Sequence, residues 1–297
     1  MANFTGLNVF FRPQTLPPTA LYGYVPSETA TLAFIILFAI STVIHFGQAV
    51  YTRLWWLIPT ICVCGGLEVA GWSGRFWSHH NPINYSAYLL QICTTIMAPT
   101  FLLAANFVIF GHIIERLGTS YSRFPPKWYS ILFITCDVIA LIIQGTGGGL
   151  ASAHIKTNPT PGGNVMLGGI TFQLGMSVIV IYTFLAAEFF IRYMSNKPFR
   201  KTMSYTESFI DPKPMTRKIM IMSLGIAFCT LCLFIRSVYR VIELADGWLG
   251  RIIRTEVYFN VLDGAMITLA LYTFNFIHPG YFLADDDDDG SEKALGK

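Results

Sequence analysis

Six residues in one part of the chain combine charge or polarity with helical spacing. Arg236, Arg240 and Glu243 lie in the apolar run FIRSVYRVIELADG, and Glu256, Asn260 and Asp263 in the TEVYFNVLDGAM that follows. Steps of four and three put each trio on one stripe of its helix. With a short turn between them, the two stripes can face each other across antiparallel helices. Guanidinium, carboxylate and amide groups in such a seam can pair among themselves or receive a charged headgroup. Charge at membrane depth is costly unless paired or hydrated, so the seam is a candidate functional site.

The elements that must carry it are membrane helices. Of the 297 residues 53% are hydrophobic and only 12% charged, with a mean hydropathy of +0.52. Soluble domains carry roughly 25% charged residues. Windows of about 20 apolar residues predict seven spans, at 29–50, 54–76, 86–114, 129–153, 166–192, 218–245 and 257–282. The expected architecture is an all-α, polytopic seven-helix bundle over 28–283. A polar, proline-containing tail (1–27) precedes it and an acidic tail (284–297) follows. The first residues lack a basic region ahead of an apolar core, so no cleavable signal peptide is expected.

Basic residues set the orientation. One set of connections and the C-terminal tail hold thirteen Lys and Arg, seven of them between spans five and six; the other side holds five. The positive-inside rule then places the C-terminus in the cytoplasm and the N-terminus outside. Two glycosylation sequons, at Asn3 and Asn84, fall on the outside. The plasma membrane is the default location. A net charge of +3 gives no footprint for nucleic acid. All six cysteines lie within spans and read as buried, inert thiols, so no metal or other cofactor is expected.

Further polar residues recur in the other spans. Ser27 and Glu28 fit an N-cap and first turn for span one. Glu68 and Arg75 share a face of span two, two turns apart, so each is expected to pair with another helix. Pro99 in span three frees carbonyls that neighbours must satisfy. Asp137 and Gln144 lie along span four, ahead of Gly147-Gly148-Gly149, which predicts unwound backbone or close packing. No Lys-Ser/Thr follows these glycines, so they are not a phosphate loop. The N-terminal tail is expected to lie extended on the outer surface, and the basic loop between spans five and six to touch anionic lipid.

Depth orders these groups. Glu68, Arg75, Gln91, Gln144, Gln173, Arg236, Arg240, Glu243, Glu256, Asn260 and Asp263 fall in the outer half of six spans, with Asp137 nearest the midplane. The inner half holds His45, His112, Glu188 and His278. Structural pairing has no reason to prefer one leaflet, so the asymmetry points to an outward-opening polar cavity. A self-satisfied ion-pair network that locks the bundle is the alternative. The acids outnumber the bases, leaving negative charge for a cationic amphiphile.

At these residues the sequence resembles the fungal lipid-translocating exporter family named for resistance to aminocholesterol. The resemblance runs from about residue 24 to 280. It rests on Glu68 before GW and Arg75, Gln91 with Ala98-Pro99 and Ala104-Ala105, and Asp137 with Gln144-Gly145 and the triple glycine. Arg236 with Tyr239-Arg240, Glu243 and Gly247, then Glu256, Asp263 and His278-Pro279, complete it. Trp72 departs from it, standing where the family pattern has Tyr. The resemblance implies a seven-helix membrane protein that exports or flips sphingoid long-chain bases, sterol-like toxins or porphyrins.

Three functions compete. A transporter or translocase would bind a cationic headgroup or polar diol at Glu68, Glu243, Glu256 and Asp263. Arg236 and Arg240 would hold the acids or grip an anionic group, with the tail in lipid or on the aromatic walls; its partners are the amphiphile and membrane lipid. A seven-helix receptor fits the topology, although span three ends in HIIERLG without Asp-Arg-Tyr. An intramembrane metal-dependent hydrolase would need His45, His112, His278 and Glu188 to converge on zinc.

Overall fold

The computed structural model describes residues 22–153, 160–175, 178–198, 214–246 and 250–283. Asn3, the centre of the basic loop and the acidic tail lie outside them. Among the described residues the fold is all-α, with no strand.

Helix α1 (Glu28–Thr52) starts as its sequence predicts. Ser27 is extended and its hydroxyl accepts from Ala30 N, while Glu28 supplies the acidic first turn. The chain turns at Arg53 and re-enters through a 3-10 turn (Trp55–Leu57) and a π-helical turn (Ile58–Cys62) containing Pro59, before α2 (Val63–His80). Asn84 caps α3 (Tyr85–Leu117), its side-chain oxygen accepting from Ser86 N and Ala87 N. Helix α3 is the central pillar, buried on most of its circumference, and α2, α4 and α7 pack on it.

Helix α4 (Pro126–Ala153) stays helical through its three glycines and lies along α5 (Thr160–Gly175). A β-carbon on Gly147 would come within 2.6 Å of Met166 N, so the glycine serves close packing and not unwinding. Helices α6 (Val178–Met194) and α7 (Arg217–Asp246) follow. The last stretch is α8 (Glu256–Phe259), a π-helical turn (Asn260–Ala265) and α9 (Met266–Phe276), then the single turn α10 (Pro279–Phe282) capped by His278.

Among the described residues, five stretches are long and apolar enough to cross a membrane: Glu28–Thr52, Trp55–His80, Tyr85–Leu117, Arg217–Asp246 and Glu256–Phe282. They coincide with the expected spans one, two, three, six and seven. The expected fourth span falls on α4, whose apolar part is Ile134–Leu150. The expected fifth takes in α5 and α6, with residues 176 and 177 between them outside the described residues. Five of the residues of α5 are glycine, each about 1 kcal/mol worse than alanine in a helix.

Candidate binding site

The seam on α7 and the stretch after it does form, and α2 and α3 close it. Asp263, fully buried, is its hub. Arg240 grips it as a two-pronged fork, Nε to Oδ1 at 2.9 Å and Nη2 to Oδ2 at 3.0 Å. Arg236 Nε lies 2.7 Å from the same Oδ1. Arg240 Nη1 also donates to Glu243 Oε2 at 2.8 Å, and the Tyr239 hydroxyl donates to Glu243 Oε1 at 2.8 Å. Asp263 sits within a π-helical turn, the kind of local widening that often aims a side chain at a functional site.

Pro99 explains the contribution of α3. Without an N–H it leaves the carbonyl of Thr95, four residues earlier, with no helical donor. Arg236 Nη2 donates to that oxygen, and Arg240 Nη2 donates to the Thr95 hydroxyl at 3.0 Å. Gln91, one turn before Thr95, places its Nε2 3.5 Å from that hydroxyl.

Glu68 comes from α2 and is fully buried, yet neither carboxylate oxygen has a hydrogen bond. Its charged neighbours are Asp263, Arg236 and Arg240, and Trp72 Nε1 faces it without reaching well-formed hydrogen-bond geometry. Glu68 therefore does pair off its own helix, but by proximity to charge and not by a hydrogen bond.

Arg75 anchors a second layer above the first. Its Nη2 donates to Glu256 Oε1 at 3.2 Å and to the Tyr24 hydroxyl at 2.7 Å. Four rings surround its guanidinium, those of Tyr22, Tyr24, Trp72 and Phe259, with the last only 4.5 Å away. The Phe259 ring also lies 5.0 Å from the Arg240 guanidinium, so one aromatic joins the two layers. Ser27 N donates to Glu256 Oε1 at 2.7 Å, tying the start of α1 to the same carboxylate.

Tyr22 and Tyr24 were not legible as site residues. The tail was expected to lie extended on the surface, but its described end turns inward. Gly23 has φ +71°, a left-handed conformation open to glycine, and the turn directs both neighbouring rings onto Arg75. Burial raises both phenol groups above their ordinary range, against the opposing pull of Arg75, so they act as neutral hydroxyls. What remains between Tyr24, Arg75, Gln91, Arg240, Glu243 and Phe259 is a cavity of about 20 Å³, room for about one water. The expected outward-opening cavity is closed here, because the aromatic strap and the ion pairs fill it.

The other predicted residues whose side chains are described stand apart from this cavity's lining. Asp137 and Gln144 are buried on α4, with Gln144 packed against Gly169 of α5. Gln173 belongs to α5, but its side chain lies outside the described residues. Asn260 is on the π-helical turn, and its buried Oδ1 carries no hydrogen bond. Of the histidines in the hydrolase reading, His45 and His278 are neighbours, but His112 and Glu188 do not join them. His112 is exposed beside Glu115, and His45 is held by the carbonyl of Leu271. Glu188 forms an ordinary edge pair with Arg192 and Arg123. Among the described residues no group of three or more His, Cys, Asp or Glu is placed to hold a metal.

Two apolar grooves flank the charged seam. One of about 710 Å³ lies between α3, α6 and α7, and one of about 650 Å³ lies between α7 and residues 251–262. Both are within the range of small-molecule sites. They share Phe234. Ser223, Ala227, Leu231, Phe234, Val238, Ile242 and Asp246, all groove-lining, follow one another at steps of three and four and form one stripe of α7. Tyr239 joins stripe to seam: its ring lines the second groove and its hydroxyl holds Glu243.

Replacing Arg75 by Met should loosen the strap while leaving the Asp263 hub intact. Loss of charge-assisted bonds worth about 1.5–3 kcal/mol should show as faster amide exchange over residues 22–27. Unchanged exchange there would mean that Arg75 does not hold the strap.

The family model described as "RTA1 like protein" matches residues 61–286. The chain is 31% identical over 284 residues to the Saccharomyces cerevisiae protein named sphingoid long-chain base transporter RSB1, covering 88% of this chain and 74% of that one. It is 25% identical over 291 residues to protoporphyrin uptake protein 1 of the same yeast, covering 86% and 90%. With the yeast protein RTM1 it shares 24% over 300 residues. No solved structure matches the chain.

Proposed function

The chain belongs to the RTA1-like family of integral membrane proteins, and from that premise we propose that it translocates a single-chain amphiphilic lipid with a cationic headgroup. The observation that carries this reading is the juxtaposition at Tyr239. On one side of that residue lies an apolar groove of about 650 Å³, and on the other a buried carboxylate, Glu243. A tail in the groove and an amine at Glu243 are within reach of the same lipid molecule. A relative named for sphingoid long-chain bases supports this chemistry, since such a base is a long alkyl chain ending in an amine and hydroxyls.

In this reading the chain crosses the plasma membrane seven times, with its N-terminus outside, α4 forming the fourth crossing and α5 with α6 the fifth. The closed arrangement is an occluded state. Opening moves the strap of Tyr22 and Tyr24 off Arg75 and exposes Glu243, Arg240 and Gln91 to the outer leaflet. Arg236 and Arg240 hold the acids apart in the meantime, and Glu68, Glu256 and Asp263 set the negative field that favours a cation.

The test is flipping of a fluorescent long-chain base in proteoliposomes of purified protein, compared with protein-free vesicles. Faster flipping of the base, and not of a neutral analogue with the amine acylated, is the expected result. Equal rates with and without protein for every amphiphile tried would overturn the assignment.

A further inference from the structure

Among the described residues the buried seam is short of one positive charge. Glu68, Glu243 and Asp263 face Arg236 and Arg240, three carboxylates against two guanidiniums, and all five residues are buried. Glu256 and Arg75 balance each other in the layer above. Of the three acids, Asp263 and Glu243 are held by guanidinium donors, whereas Glu68 has no hydrogen bond at either oxygen. A buried carboxylate whose cationic neighbours, Arg236 and Arg240, are already engaged by other groups is an expensive arrangement. Something of charge +1 completes it.

Resting on the translocase reading, we propose that this something is a proton on Glu68, exchanged for the cationic headgroup during each translocation cycle. The surroundings of Glu68 favour a proton over a metal cation. From α7 it faces Arg236 and Arg240, from the π-helical turn Asp263, and on its own helix Cys64. Two guanidiniums repel a metal ion, and among the described residues no set of donors is placed to coordinate one. The nearby cavity of about 20 Å³ leaves no room for a hydrated ion, while a proton needs none.

The seam also supplies a link between the two sites. Glu243, Arg240, Asp263 and Arg236 form an unbroken chain of contacts between 2.7 and 3.0 Å, and Arg236 neighbours Glu68 at its far end. A quaternary or primary ammonium arriving at Glu243 competes with Arg240 for that carboxylate. Arg240 then leans on Asp263, and Arg236 is freed to serve Glu68. The O–H bond of Glu68 breaks, the proton leaves to water, and the total charge of the buried seam is unchanged. Release of the headgroup reverses each step, and a proton from the opposite side returns to Glu68. The amphiphile and the proton therefore move in opposite directions, one for one.

The test uses the full chain in proteoliposomes with a fluorescent long-chain quaternary ammonium, which cannot shed a proton and cross as a free base. A pH dye trapped in the lumen follows proton movement. The expected result is a lumenal pH change opposite in direction to probe movement at a ratio near one, and accumulation of probe driven by an imposed pH gradient. Glu68→Gln should lose proton counterflow, and Glu68→Asp, which keeps a titratable carboxyl, should retain it. Difference infrared spectra should show a protonated carboxyl in the unloaded protein that disappears on adding probe, a readout available even where Glu68→Gln does not fold. Probe movement without any pH change, or without response to a gradient, overturns proton exchange and leaves the translocase reading standing. Wild-type counterflow in Glu68→Gln, or an infrared spectrum without the protonated carboxyl, overturns the assignment to Glu68. No probe movement at any pH overturns the translocase reading and this proposal with it.

Discussion

Asp263→Asn should be the most damaging single substitution in the bundle. Asp263 is fully buried and is the only residue described that contacts both Arg236 and Arg240 through its carboxylate. Asparagine keeps the shape and removes the charge, leaving the two guanidiniums to Glu243 and the unbonded Glu68. Breaking one side of a buried ion pair costs about 3–5 kcal/mol, against a total stability of about 5–15 kcal/mol for a typical domain. The expected result is a steep loss of monodisperse protein on size exclusion and a much lower thermal midpoint in detergent. Glu188→Gln provides the contrast, since its pair with Arg123 and Arg192 lies at an edge where such bonds contribute about 0–1 kcal/mol. A thermal midpoint for Asp263→Asn equal to that of Glu188→Gln would show that the hub carries no stability.

Glu243→Gln should separate function from fold. The amide oxygen of Gln can still accept from the Tyr239 hydroxyl or from Arg240, so the seam keeps its packing. What disappears is the negative charge offered to an incoming amine. A charge-assisted hydrogen bond is worth about 1.5–3 kcal/mol, which corresponds to roughly a 10- to 150-fold loss of translocation rate for a long-chain amine. Translocation should be compared at equal amounts of reconstituted, monodisperse protein. Wild-type rates in Glu243→Gln would remove Glu243 from the headgroup site.

The two trios on α7 and the following stretch were legible because helical spacing alone puts their residues on one stripe, and burial then forces the stripes together. Pro99 was legible for a similar reason: a missing N–H leaves a definite carbonyl, and Arg236 takes it. Depth along a helix can be counted in residues, but position around the bundle cannot. Asp137 and Gln144 were grouped with the seam by depth, yet α4 packs on α3 and α5 and they do not line its cavity. The aromatic strap escaped notice because Tyr22 and Tyr24 sit in a segment without periodicity, where only the left-handed turn at Gly23 gives them direction.

The missing amide hydrogen at Pro99 has a consequence for kinetics. Helices α3 and α7 meet where the Thr95 carbonyl receives Arg236, so pulling them apart strands an acceptor and a cation together. Such a junction behaves as a latch, firm while dry and quick to yield once a hydroxyl or water reaches the exposed oxygen. In the translocase reading, a hydroxylated headgroup that carries its own donors to that spot should open the bundle faster than a bare alkylammonium. On that reading, selectivity among cargoes would reside in how fast the bundle opens, with little difference in how tightly each is held.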